Sequence, residues 1–468
     1  MNTEAQQDYF EKRSLKQGSV GWVLLTGLGV AYVVSGDFSG WNYGIANGGW
    51  TGLCFAFLAM GLMYTCTVFG LAELSSALPT TGAGYGFARR AMGRLGGFLC
   101  GLATLIEYVC APAAISTFIA NYVAELGILP DQVSHLAVVV VAYLLFIALH
   151  IVGVGEALKA IMAITLVAVV ALALFIFGTL PSFDVSALFD IAPTDGCSPL
   201  LPYGITGAIA ALPFGIWFFL GIEGVPLAAE EAQNPRRDIP RGILGAMGIL
   251  AVTGLSVLLL APGSSGAEIM GASTAPLIDA LKSAGRPELG FIVNVAGLFG
   301  LVASFFSLIY AGSRQMFALG RAGYLPSVLA LTGTRKTPAL SLLVIGAIGI
   351  ALVVVVGDGD ILINMAVFGA CMSYTLMNLS HIILRRTEPT MYRGYTTPGG
   401  VVTTGVGLVL SCVAICSTFL VDIGAALAVL AVILLGVAYF FLYARRHLVA
   451  NAPEEEFEQL AKAESDLR

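Results

Sequence analysis

The chain has 468 residues, of which 57% are hydrophobic and 11% charged, with a formal charge of −6 and a mean hydropathy of +0.88. A soluble domain carries about 25% charged residues, so a water-soluble enzyme, a disordered chain and a collagen are all excluded. At about 20 apolar residues per crossing, this length accommodates about a dozen membrane helices, and the fold class is an all-α polytopic membrane protein.

Residues 1–19 are polar and of mixed charge (Glu4, Asp8, Glu11, Lys12, Arg13, Lys16), which predicts a cytoplasmic segment and no cleaved signal peptide. Twelve apolar runs follow: 20–48, 50–74, 95–126, 134–152, 157–180, 204–230, 242–261, 288–318, 338–356, 360–384, 402–421 and 423–444. Each is long enough to span the hydrocarbon at about 1.5 Å per residue. They are continuous, not alternating, which excludes a β-barrel. Residues 445–468 form an acidic tail (Glu454, Glu455, Glu456, Glu458), expected to be solvated in the cytosol.

The basic residues orient the chain. All but Lys282 and Arg286 of the 23 Lys and Arg fall on one side of the twelve-span arrangement, whereas the alternate connections carry Asp131, Asp184, Asp190, Asp195, Asp358 and Asp422. The positive-inside rule then predicts that both termini are cytoplasmic.

Two runs contain residues hostile to regular helix. Run 1 reads Ser35-Gly36-Asp37-Phe38-Ser39-Gly40 before resuming at Trp41, and run 6 reads Gly221-Ile222-Glu223-Gly224-Val225-Pro226. Irregular backbone at membrane depth is tolerated where it is buried in protein or lines a cavity. The breaks lie five crossings apart, so they traverse in opposite directions. This predicts an inverted repeat, residues 20–180 against 204–384, with spans 402–444 appended, and it points to a transport site between the breaks. Gly-rich packing helices are the alternative.

Asp37, Glu107 and Glu223 lie well inside runs 1, 3 and 6, with no Lys or Arg at similar depth. Each costs about 2.5–3.5 kcal/mol to insert, and such a set is relieved by protonation, by metal cations or by a cationic guest. Three structural roles compete with that reading: Asp37 as a cap on the second half of run 1, Glu223 as a strut across its break, and Glu107 as a neutral carboxyl bonded to a neighbouring helix. Glu73 and Glu125, nearer run ends, are expected to be solvated. Trp217 is either an interface anchor or a lid that covers an ammonium group. His135, His150, His381 and His447 are scattered near run ends, and the eight cysteines contain no CxxC and read as packing residues. Without HExxH or a Walker lysine, neither an enzyme nor a resident metal or cofactor is expected.

Three stretches carry a family resemblance: Glu73-Leu-Ser-Ser-Ala-Leu-Pro-Thr-Thr-Gly-Ala-Gly-Tyr85, Glu230-Glu-Ala-Gln-Asn-Pro-Arg-Arg-Asp-Ile-Pro240 and Arg314-Gln-Met-Phe-Ala-Leu-Gly-Arg-Ala-Gly-Tyr-Leu-Pro326. On these the chain resembles the amino acid–polyamine–organocation superfamily, and Ser35 to Gly44 looks like its ethanolamine permease branch. The resemblance implies the five-plus-five inverted-repeat fold of the leucine-transporter type plus two helices, with substrate between spans 1, 3, 6, 8 and 10. The expected substrate-binding residues are Ser35, Gly36, Asp37, Phe38, Ser39, Gly40, Glu107, Trp217, Phe219, Leu220, Gly221 and Glu223. By resemblance Trp217 matches a gating tryptophan and Glu223 the acid of the span 6 break. Asp37 departs from the amino acid carriers, whose span 1 break offers bare N–H groups to a substrate carboxylate.

The expectation is a bacterial inner-membrane carrier that imports ethanolamine or a close small primary amine by alternating access. An amino acid or polyamine permease is the alternative, and a channel or sensor the rival class. Relatives thought to be sodium-independent often carry a span 5 lysine that Ile161 to Val170 lacks, which leaves uniport, proton coupling and exchange open.

Overall fold

The computed structural model describes residues 20–78, 82–130, 132–152, 154–333 and 337–449, without the side chains of 154–160, 230 and 231. The predicted amino-terminal segment and residues 450–468 of the acidic tail lie outside the described residues.

The described chain is all-helical, with two isolated β-bridges (Val20 with Ala232, Ser198 with Leu201) and no strand. In chain order the helices are α1 (Trp22–Val33), α2 (Ser35–Phe38), α3 (Asn42–Ala77), α4 (Gly84–Glu125), α5 (His135–Val152), α6 (Val154–Thr179), α7 (Gly204–Ala210), α8 (Leu212–Trp217), α9 (Pro235–Ser265), α10 (Ala267–Ala272), α11 (Pro276–Ser283), α12 (Pro287–Arg321), α13 (Ala339–Val355), α14 (Gly359–Thr387), α15 (Val401–Val421) and α16 (Ile423–Leu442). A 3-10 segment, Ile222–Glu231, joins α8 to α9.

A helix lies at each of the twelve predicted runs. Among the described residues ten helical segments are long and apolar enough to cross a membrane, and the shorter apolar helices Trp22–Phe38 and Ala339–Val355 occupy runs 1 and 9. Glycines set two of the boundaries. Gly49 (φ 69°) kinks α3 between the end of run 1 and run 2, and Gly93 (φ 75°) separates the start of α4 from run 3. Both adopt left-handed backbone that a side chain resists. Proline in the first turn starts α9, α11 and α12, where its missing N–H costs nothing.

The centre of the bundle packs α4 against α14 and α12, with α1 against α9 and α3 against α8. Small residues bring these backbones together. A methyl group on Gly369 of α14 would stand 2.8 Å from the Ala103 carbonyl of α4, and one on Gly215 of α8 would stand 2.5 Å from the Ala56 backbone of α3. The outward faces are apolar, with Leu144, Leu166, Phe177, Val252 and Leu435 exposed, as hydrocarbon surroundings require. Cys412 and Cys416 are exposed on α15, so they are not interior packing residues.

Of the two basic residues that break the charge asymmetry, Lys282 is ion-paired. Lys282 in α11 pairs with Glu125 at 2.9 Å and Asp279 at 3.5 Å, so its positive charge is balanced on the acidic end of the bundle. Glu125 is therefore exposed but ion-paired.

Glu73 corrects the sequence reading more sharply. It is fully buried, not solvated. Its carboxylate meets Arg385 at 2.6 Å, Arg393 at 2.8 Å and His381 at 3.1 Å, and accepts the Thr397 N–H at 2.7 Å. His381 is thus part of a buried network that also includes Thr404, 2.9 Å from its Nδ1. This network ties α3 to α14 and to the 388–400 connection at the arginine-rich end.

Candidate functional site

The first break is shorter than its composition suggests. Backbone stays helical through Phe38, and only Ser39 (φ −160°, ψ 159°) and Gly40 (φ 97°) leave the helix before Asn42 restarts it. A second discontinuity lies one turn earlier. Ser304 of α12 inserts its hydroxyl between Ala31 and Ser35, donating to the Ala31 carbonyl at 2.7 Å and accepting the Ser35 N–H at 3.0 Å. That hydroxyl takes over a rung of the backbone ladder, a recognised cause of helix distortion. Nothing in the local sequence signals it.

The second break follows Trp217. Gly221 (φ 105°) turns the chain, and Ile222–Glu231 continues as 3-10 helix around Pro226, which has no N–H to donate. The two breaks touch through backbone. A methyl group on Gly36 would stand 2.5 Å from the Trp217 carbonyl, and one on Gly40 would stand 2.5 Å from the Trp217 indole nitrogen. Substituting alanine at Gly36 is therefore expected to cost about 1–3 kcal/mol and to lower the thermal midpoint of purified protein by several degrees. Alanine at Gly248, where nothing lies within 4 Å, is expected to leave the midpoint unchanged or raise it; equal effects at both positions would show that the crossing is not tight.

Between the breaks the structure brings together two carboxyls and three phenols. Glu107 of α4 and Glu223 of the 3-10 segment converge on one phenol, Tyr374. Tyr108 donates to Glu223 Oε1 at 3.1 Å and Tyr374 to Oε2 at 2.9 Å, while Tyr374 lies 3.4 Å from Glu107 Oε1. Tyr64 meets the Tyr374 hydroxyl; because Tyr374 spends its proton on a carboxyl, Tyr64 is the donor. Glu107 Oε2 has no donor among the described residues. All five side chains are buried. Among the described residues neither glutamate forms an ion pair with a basic group. Two ionised carboxylates about 4 Å apart repel by about 4 kcal/mol at an effective dielectric of 20, so the cluster lacks one positive charge.

Of the expected site residues, Glu107 and Glu223 meet here, Gly221 turns the chain just before the segment that carries Glu223, and Phe219 borders the cluster by its contact with Tyr64 at 5.7 Å between ring centres. Leu220 is buried in the turn. Ser39 and Trp217 meet one another, the indole N–H donating to the Ser39 carbonyl at 2.9 Å. Phe38 points away, packing on Gly297 and Gly300 of α12, and its carbonyl accepts the Tyr122 hydroxyl at 2.8 Å.

Asp37 is not brought to Glu107. It faces α9, with Oδ1 3.4 Å from where a methyl group on Gly254 would stand and the Thr253 hydroxyl nearby. Thr253 already donates to the Ile249 and Leu250 carbonyls at 3.2 and 3.3 Å, which leaves both Asp37 oxygens without a donor among the described residues. In the described structure Asp37 neither joins the carboxyl pair nor caps the restarting helix.

Toward the acidic end a cleft of about 390 Å³ is lined by Tyr43, Thr117, Asn121, His135, Asp358 and Gly359, among others. From Tyr43 a chain of ring contacts leads inward, to Phe118 at 6.3 Å and from Phe118 to Trp217 at 6.2 Å between centres. Trp217 therefore stands under an aromatic layer and not at an interface with lipid headgroups. Among the described residues no cluster of His, Cys, Asp and Glu has the makings of a metal site.

The model of the amino acid permease family matches residues 23–447. The chain belongs to the amino acid permease family. It is 27% identical over 453 residues to the methylthioribose transporter of Bacillus subtilis, covering 92% of each chain. It is 25% identical over 466 residues to the branched-chain amino acid permease BcaP of the same organism, covering 94% of this chain and 96% of that one. An uncharacterized transporter of Rhizobium meliloti is 29% identical over 400 residues, covering 84% of this chain and 85% of the other. Among solved structures, a mutant of the Eremococcus coleocola manganese transporter matches with a TM-score of 0.58 at 16% identity, covering 92% of this chain and 98% of that chain, a likeness of fold. Permeases of this family are membrane transporters, not enzymes, and this chain is a multi-pass membrane protein of that kind.

The sequence reading missed Tyr64, Tyr108 and Tyr374. A signal existed: a phenol at mid-span needs a hydrogen-bond partner, and Tyr108 adjoins Glu107.

Proposed function

We propose that this permease carries ethanolamine or a close small primary amine by alternating access across a bacterial inner membrane. In this reading the twelve runs are twelve spans, residues 20–180 and 204–384 are the inverted repeats, and both termini are cytoplasmic. The observation that carries the reading is the Glu107–Glu223 pair, buried together with no basic partner among the described residues. A guest that brings one ammonium and no carboxylate supplies the missing positive charge, whereas a zwitterion brings a third carboxyl group to a site that already holds two. The ammonium is assigned to the glutamates and not to Asp37, which the sequence reading placed among the substrate-binding residues. The substrate hydroxyl is assigned to Ser35, Ser39 and nearby backbone carbonyls. Trp217 and Phe219 cover it, and their ring faces attract a cation.

The second reading is an amino acid permease, favoured by the branched-chain permease among the relatives. Thermal shifts of purified protein decide between them, because a ligand that binds the native form stabilises it by an amount that grows with its concentration over Kd. Ethanolamine is expected to raise the midpoint most, putrescine and choline less, and alanine and leucine not at all. A shift with alanine or leucine as large as that with ethanolamine overturns the amine reading.

A further inference from the structure

We propose that the Glu107–Glu223 pair holds one exchangeable proton and that the arriving ammonium displaces it, so that each amine bound releases one proton. This rests on the amine reading above and deepens it. The geometry points to a shared proton because the donors do not suffice for two carboxylates. Tyr108 and Tyr374 serve Glu223, Tyr374 reaches Glu107 only at 3.4 Å, and Glu107 Oε2 is left without a donor. A carboxylic O–H directed from one glutamate to the other supplies the missing donor. The described titratable groups facing the pair are Tyr64, Tyr108, Tyr374 and Cys371, with Tyr32 beyond Tyr108. None brings a positive charge, so the balance rests with the glutamates themselves.

The exchange conserves charge and atoms. The empty site is Glu–COOH···⁻OOC–Glu, with net charge −1. The ammonium enters as R–NH₃⁺, its N–H groups replace the carboxylic O–H as donors, the O–H bond breaks, and the proton departs to water. The occupied site holds two carboxylates and one ammonium, again −1. Proton and amine thereby compete for one position, and a gradient of either drives movement of the other in the opposite direction.

The test is titration calorimetry of ethanolamine into purified full-length protein between pH 5.5 and 8, well below the range near 10 where a primary ammonium loses its own proton. Measurements in two buffers of different ionisation enthalpy count the protons released. About one proton per amine is expected, with affinity rising about tenfold per pH unit while the empty pair remains protonated. The Glu223→Gln variant, monodisperse by size exclusion, is expected to release none. Binding heat with no proton release and a flat affinity overturns the exchange while leaving the amine reading standing. A full proton still released by Glu223→Gln also overturns it, since the proton is then not shared by the pair. Neither heat nor thermal shift with ethanolamine overturns the amine reading itself and the exchange with it.

Discussion

Replacing Glu107 or Glu223 by glutamine is expected to lower ethanolamine uptake at least about a hundredfold while leaving a monodisperse, membrane-inserted protein. The amide preserves size and hydrogen-bonding capacity but removes the charge that an ammonium needs. An ammonium left against one buried carboxylate and an amide loses about 3 kcal/mol, which corresponds to about a hundredfold in affinity. Asp37→Asn provides the contrast. Because Asp37 faces Thr253 and Gly254 rather than the pair, its substitution is expected to change uptake by less than about threefold. Uptake assays in reconstituted vesicles check all three. A hundredfold loss in Asp37→Asn with intact Glu107→Gln would return the ammonium to the span 1 break.

The second large effect lies at the other end of the bundle. Glu73→Ala is expected to lower the thermal midpoint by about 5–10 °C, whatever its effect on substrate. Its carboxylate is the common partner of Arg385, Arg393 and His381, and its own side chain is wholly buried. Removing one member of such a set strands the others and costs about 3–5 kcal/mol, with the Arg385 share reduced because that residue is partly solvated. A midpoint within about 1 °C of the parent would mean that water substitutes for the carboxylate, and that the network contributes little to stability.

The sequence yields the crossings and much of the centre because both rest on properties that need no partner. Hydrocarbon length places helices at all twelve runs, and glycine at positive φ accounts for the divisions at Gly49 and Gly93. Glu107 and Glu223 stand out because acids are costly at that depth. What escapes is pairing over long separations. Glu73 sits near a helix end, where a carboxylate reads as solvated until arginines from α14 and the connection beyond it are seen to reach it. Asp37 illustrates the converse: its depth is legible, but which face of a short helical turn it occupies depends on where α2 sits against α9. Tyr64 and Tyr374 belong to a residue type common at interfaces, so only their contact with the acids distinguishes them.

The crossing of Gly36 with the Trp217 carbonyl has a mechanical consequence. Backbone rests on backbone there, and no side chain lies between to rotate aside and absorb a displacement. For a carrier working as proposed, shifting one interrupted segment therefore drags the other along. The sealing of one gateway and the unsealing of its opposite become a single stroke, with no separate latch needed to keep them in step.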